Sequence, residues 1–219
     1  HTAIKNLLRE GIQKKRIIKT GDIMSDLARI HSETSEKYLG ILDELGVKEK
    51  QFILATIHRA ENTNNPKKLR TIFEALQFIA SSSEKKYKDL SIIIPLHPRT
   101  KKFLNEYKLE HLLEPLILIE PISFLQMVLL ERKAKLILTD SGGIQKEAFF
   151  QKTPCVTVRT ETEWIELIES GWNMLADPSD LGNILHAINK QLMFNCRSIQ
   201  PSLYGDGFTA QEIIYTIQK

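Results

Sequence analysis

Two cysteines in 219 residues leave no room for a disulfide framework. Cys155 and Cys196 stand far apart and share no metal-ligand spacing. A reduced, cytoplasmic protein is therefore expected, with one disulfide as the alternative. Charge of one sign is equally scarce: 30 basic against 27 acidic residues give a net charge of +3. That balance argues against nucleic acid or an anionic membrane surface as partner. Lys14-Lys15-Arg16 and Lys85-Lys86 read as solvated loop charges. No apolar run reaches the roughly 20 residues of a membrane helix. The segment His1-Thr2-Ala3-Ile4-Lys5 enters an amphipathic pattern without a secretory signal, and reads as the continuation of something before it. Internal repeats and low-complexity tracts are missing too.

What remains is an ordinary globular composition, 42% hydrophobic and 26% charged, long enough for one large or two small domains. Short apolar runs at 52–56, 92–96, 116–119, 136–138 and 156–158 predict strands. A further strand is expected over 16–21, closed by Gly21-Asp22. Helical spacing fills the intervals: 3–9, 23–45 in two segments, 66–80 with Pro66 at its first turn, 100–107, 123–132, 145–150, 180–191 and 209–217. Strands alternating with helices argue for βαβ units. The fold class is thus α/β, a Rossmann-like parallel sheet with helices on both faces, spanning about residues 40–195. Ligands in such sheets sit at the carboxyl ends of the strands.

Every polar cluster falls just after a predicted strand. Thr139-Asp140-Ser141-Gly142-Gly143 joins a strand to a helix, with Asp140 and Ser141 as N-cap residues and glycines that admit a ligand. Helix starts carry N–H groups without internal partners, so this turn is an anion site or a plain capped turn. His58-Arg59-Ala60-Glu61 offers an imidazole, a fixed cation and a carboxylate for a departing phosphate, or a loop in which Glu61 pairs with Arg59. His97-Pro98-Arg99 is a stiff base or ribose contact, or a structural turn. Arg159 follows another strand, and Thr162 and Glu163 after it suit sugar hydroxyls or an acetamido group. Gly171-Trp172-Asn173 reads as a turn with a core tryptophan, and Tyr204-Gly205-Asp206-Gly207 as a turn before the last helix.

In order and spacing these segments resemble the non-hydrolysing UDP-N-acetylglucosamine 2-epimerase family. The shared pattern is HRxEN at His58–Asn62, HPR at His97–Arg99, TDSGGIQxE at Thr139–Glu147, then Arg159, Thr162-Glu163, Glu166 and Gly171, and YGDG at Tyr204–Gly207. The resemblance implies the C-terminal half of a GT-B-type two-domain fold. Residues 1–22 would be the end of an N-terminal Rossmann-like domain, 23–195 the UDP-binding domain, and 196–219 a closing segment with the C-terminal helix. It implies inversion at C2 of a UDP-2-acetamido sugar by elimination and re-addition of UDP. His58, Arg59 and Glu61 would be catalytic. His97, Arg99, Phe124, Ser141, Gly142, Gly143, Glu147, Arg159, Thr162 and Glu163 would bind the UDP-sugar, with Ser141 and Gly142 at the diphosphate and Glu147 at the ribose. No cofactor and no metal are implied, and the full-length protein would be a homodimer.

Two departures matter. The usual TERPE is Thr162-Glu163-Trp164-Ile165-Glu166 here, and the usual QEE is Gln145-Lys146-Glu147. The first resembles the branch acting on UDP-2,3-diacetamido-2,3-dideoxyglucuronate. The rival readings are a nucleotide-sugar glycosyltransferase of the same architecture, which would lack the HRxEN element, and a non-catalytic UDP-binding module.

Overall fold

The computed structural model describes residues 2–194 and 200–218. Six strands form one sheet: β1 (Phe52–Thr56), β2 (Ser91–Pro95), β3 (Ile117–Ile119), β4 (Leu136–Thr139), β5 (Cys155–Thr157) and β6 (Asn173–Leu175). Their order is β3-β2-β1-β4-β5-β6, and every adjacent pair is parallel. Sequential strands run outward from β1 in one direction and from β4 in the other. The chain therefore reverses its winding between β1 and β4, opening a crevice at their carboxyl ends.

Strand alternation divides the core in two. Ile53, Ala55, Ile92, Ile94, Leu136 and Leu138 point to one face. There they pack on α5 (Pro66–Ser81) and α10 (Leu181–Leu192), beside α6 (Pro98–Glu106). Phe52, Leu54, Ile93, Ile137 and Cys155 point to the other, against α3 (Gly40–Glu44), α7 (Phe124–Lys133) and α8 (Gly142–Phe150). Covered on both faces, β1 and β4 are buried throughout, which is why they read as continuous apolar runs. Helix starts follow local chemistry: Asn65 accepts the Lys67 and Lys68 N–H groups ahead of Pro66, and Ser123 with Gln126 forms a capping box.

Three expectations are corrected. Residues 16–21 form no strand: a 3-10 turn at Lys14–Arg16 leads into an unpaired run, with Ile18 63% exposed. A strand needs a partner ladder, and here Asp22 instead caps α2 (Ile23–Ser35). Second, residues 171–173 are more than a turn, because Asn173 begins β6; three residues are too few for a periodic signal. Trp172 is in the core as expected. Third, Gly142 and Gly143 lie inside α8 rather than ahead of it.

The remaining helices are α1 (Thr2–Arg9), α4 (Ala60–Thr63), α9 (Ile165–Glu169) and α11 (Thr209–Ile217). The Tyr204–Gly207 turn has a structural use. Asp26 of α2 accepts the backbone N–H of Thr209 (3.0 Å) and Ala210 (2.8 Å), fixing the start of α11. Gly21, at φ +107°, passes so close to Thr209 that a side chain has no space. Cys155 is a buried free thiol, and Cys196 lies outside the described residues. Among the described residues no helix is long and apolar enough to cross a membrane.

Candidate functional site

The crevice between β1 and β4 is built on threonines and an aspartate. Thr56 and Thr139 are partners in the strand register, and their hydroxyls meet at 2.7 Å. Thr139 Oγ1 also accepts the Ser141 N–H (3.0 Å). Asp140 is fully buried, and it does not cap α8 as its position suggests. Its carboxylate reaches across to the loop after β1. There it accepts the N–H groups of His58 (3.0 Å) and Arg59 (3.0 Å) and the Asn62 amide (3.1 Å). Asn62 donates in turn to the Val158 carbonyl (3.1 Å). Three strand ends are thereby tied together.

Ser141 occupies the N-cap position of α8, but its hydroxyl makes no capping hydrogen bond. The helix start thus keeps N–H groups free for an anion. Gly142 lies against the Arg59 guanidinium: a Cβ there would stand 3.2 Å from Arg59 Nη2 and 3.6 Å from Glu163 Oε2. Arg59 itself is partly buried and 3.9 Å from Glu61, an exposed pair that contributes little energy.

Arg159 and Glu163 form a two-pronged pair, with both N–O distances 3.0 Å, and the Arg159 side chain is 5% exposed. Hydrogen bonding from Arg159, aided by the charge of Arg59, holds the Glu163 carboxyl below the usual carboxylate range. Both terminal nitrogens of Arg159 are taken by Glu163, whose carboxylate lies beside Gly142, while the buried Arg159 Nε has no partner among the described residues. Thr162 donates to Gln145 Oε1 (2.6 Å), and its hydroxyl accepts the Trp164 N–H (3.1 Å). Trp164 Nε1 donates to the Gly142 carbonyl (2.8 Å). A cleft of about 340 Å³ opens beside them, lined by Glu163, Trp164, Glu166 and Tyr204 and by the run leading to Asp22.

Not every residue expected in the site comes to the same place. His58 and His97 do, their ring centroids 5.5 Å apart at the ends of β1 and β2. His97 Nδ1 accepts the Arg99 N–H (3.1 Å), which makes Nε2 the protonated nitrogen of the neutral ring. Arg99 turns away onto Thr63 Oγ1 (2.9 Å) and Asn64 Oδ1 (2.6 Å), tying α6 to the end of α4. Phe124 begins α7, half-exposed, with its ring 5.0 Å from that of His31. Gly143 is exposed on the first turn of α8, and Glu147 lies half-buried a turn and more below the helix start.

Lys146, which departs from the family pattern, is buried. It pairs with Asp22, and its ammonium sits 4.4 Å from the Trp164 ring centroid and 4.8 Å from that of Tyr204. The two departures from the family pattern, at 146 and 164, are thus in contact. Tyr204 also donates to Glu166 (2.9 Å), and burial foremost, with that carboxylate, raises its phenol above the ordinary range.

A family profile for UDP-N-acetylglucosamine 2-epimerase matches residues 1–218. The chain belongs to that family. A UDP-N-acetylglucosamine 2-epimerase homolog of Methanococcus maripaludis is 42% identical over 99% of this chain. The UDP-2,3-diacetamido-2,3-dideoxy-D-glucuronate 2-epimerase of Pseudomonas aeruginosa is 42% identical over 79% of it, the match spanning 46% of that relative. The crystal structure of the Methanocaldococcus jannaschii UDP-GlcNAc 2-epimerase in complex with UDP-GlcNAc and UDP superposes with a TM-score of 0.83. It is 33% identical, covering 98% of this chain and 58% of that one. The chain spans 58% of the M. maripaludis relative's length. Family members of known structure share this parallel-sheet architecture, so the expected α/β fold of the GT-B type holds.

Proposed function

We propose that this chain carries the UDP-binding half of an enzyme that inverts C2 of a UDP-linked 2-acetamido sugar. One observation carries the reading: the uncapped start of α8 faces the Arg59 guanidinium across Gly142 at the crevice between β1 and β4. Helix-start N–H groups plus a fixed cation suit a diphosphate, and family membership makes that diphosphate part of UDP. Residues 23–195 form the UDP-binding unit. Residues 1–22 are the end of an N-terminal Rossmann-like domain and 196–219 a closing segment with the C-terminal helix, in an enzyme that is cytoplasmic and homodimeric. The sugar is N-acetylglucosamine or its 2,3-diacetamido uronate relative. The latter reading draws on Trp164 and on the P. aeruginosa relative.

The chemistry follows from the substrate. The C2–H of such a sugar is not acidic, so direct deprotonation is unfavourable. Instead a base takes the C2 proton as the C1–O bond breaks, its electron pair leaving with UDP and the C2–H pair forming the C1=C2 bond of a glycal. Reprotonation of C2 on the other face and return of UDP to C1 complete the inversion. Negative charge grows on UDP as it leaves. The α8 start and Arg59 stabilise that charge, and His58 donates to it or moves its proton. Glu61, Ser141, Gly142, Gly143, His97 and Glu163 surround the same crevice, while Arg159, Thr162 and Arg99 hold its walls.

Calorimetric titration of the chain with UDP, using uridine as control, tests the reading. UDP should bind and uridine should bind far more weakly. Equal affinities would remove the diphosphate from the site, and no binding of either would remove the site.

A further inference from the structure

Glu131 is the least expected residue in the molecule. It lies in the third turn of α7, fully buried, where the sequence offers a run of aliphatic residues before it. Neither of its carboxyl oxygens accepts a hydrogen bond from any donor among the described residues, and no cation there pairs with it. Its neighbours on α7 do not help. Arg132 and Lys133 turn outward onto Glu36, and Lys133 also onto Glu49. From β5 it is met by Cys155, a thiol that burial pushes up to about 12 and so keeps neutral. From α8 it is met by the carboxyl of Glu147.

A buried, unpaired carboxylate costs several kcal/mol, so such a group takes up a proton instead. Burial, reinforced by the Glu147 charge, raises the Glu131 carboxyl well above the usual range. Burial also raises Glu147, but contact with Glu131 acts in the opposite direction. This is the asymmetry of a carboxylic acid donating to a carboxylate.

We propose that Glu131 is a positioning residue: as the neutral acid it donates a hydrogen bond to Glu147, fixing the carboxylate that accepts the ribose hydroxyls of the bound nucleotide. The inference rests on the proposed function and on the ribose role of Glu147 that the family resemblance implies. A lone glutamate on a helix face samples several rotamers, and one held from behind is preorganised for a diol.

The test is calorimetric titration with UDP and with 2′,3′-dideoxy-UDP, for the wild-type chain, Glu131→Gln, Glu131→Leu and Glu147→Ala. The wild type should prefer UDP by roughly tenfold, about what one charge-assisted hydrogen bond contributes. Glu131→Gln keeps a donor and should keep the preference. Glu131→Leu and Glu147→Ala should bind both nucleotides alike. If Glu131→Leu retains the preference while Glu147→Ala loses it, the positioning role falls and the ribose role stands. If Glu147→Ala retains it, or the wild type shows none, the ribose role falls and takes the positioning role with it. A second measurement needs neither nucleotide nor the leucine variant. The infrared spectrum at pH 7 should show a protonated-carboxyl C=O band in the wild type that is missing from Glu131→Gln. Its absence from the wild type overturns the proposal.

Discussion

The carboxylate of Asp140, at the end of β4, accepts the backbone N–H groups of both His58 and Arg59, at the end of β1. Residues some 80 positions apart are thereby locked into one crevice. Substituting Asp140→Asn keeps the shape but replaces one acceptor oxygen by a donor and removes the charge. Buried N–H groups would lose their partner, at about 2–4 kcal/mol of stability. Urea unfolding should show this as a lower midpoint with the same slope; an unchanged midpoint would mean the loop is held otherwise.

Gly142 separates binding from folding. A methyl at that position meets Arg59 Nη2 at 3.2 Å, and the guanidinium must give way. Because the backbone there is ordinary helix, Gly142→Ala should alter stability by less than about 1 kcal/mol. Its affinity for UDP should nevertheless drop several-fold. Equal UDP affinity in the two proteins would place the diphosphate elsewhere.

His58 should matter to turnover more than to binding. In the full-length enzyme, His58→Ala is expected to reduce kcat by about 10²–10⁴, the usual range for removing an acid–base group. UDP affinity should move by much less. Loss of affinity with kcat preserved would make His58 a ligand-binding residue only.

Asp26 gives the fold a pH-sensitive tie. Burial raises its carboxyl, but the N–H groups of Ala210 and Thr209 outweigh that and hold it below the ordinary value. A depressed folded value means the contribution is complete above the unfolded value, near ~3.9, and fades as pH falls through the folded one. Hydrogen exchange at the Thr209 and Ala210 amides, corrected for intrinsic rates, should therefore lose protection on acidification below about pH 4. Asp26→Asn should show low protection at every pH. Protection that ignores both pH and the substitution would exclude this cap.

Gly21 is a backbone requirement rather than a ligand contact. At φ +107° and against Thr209, it cannot carry a side chain without displacing α11. Gly21→Ala should destabilise by roughly 1–3 kcal/mol in thermal unfolding, the cost of a strained φ with a steric clash. A melting temperature equal to wild type would show that the turn yields easily.

Much of this was legible in the chain because it depends on near neighbours. Apolar runs of three to five residues marked β1, β2 and β4. Pro66 announced the first turn of its helix. The glycines after Asp140 announced a close approach, since each signal is settled within a turn of helix or a pleat of strand. Residues 16–21 show the limit of that logic. Their composition suits a strand, but no neighbouring ladder accepts them.

The sequence by itself therefore determined the alternation of strands and helices, the motifs at the strand ends and the family. The tertiary structure decided which of those polar groups have work left to do. Arg99 is taken by Thr63 and Asn64, Arg159 by Glu163, and Asp140 by the His58 loop, whereas the start of α8 stays open. It also brought Glu131 against Glu147 and Lys146 against Trp164. The physical reason is range. Periodicity and capping act over about four residues. The partner of a buried charge is set by strand order and by the packing of helices that crossovers bring together from distant parts of the chain.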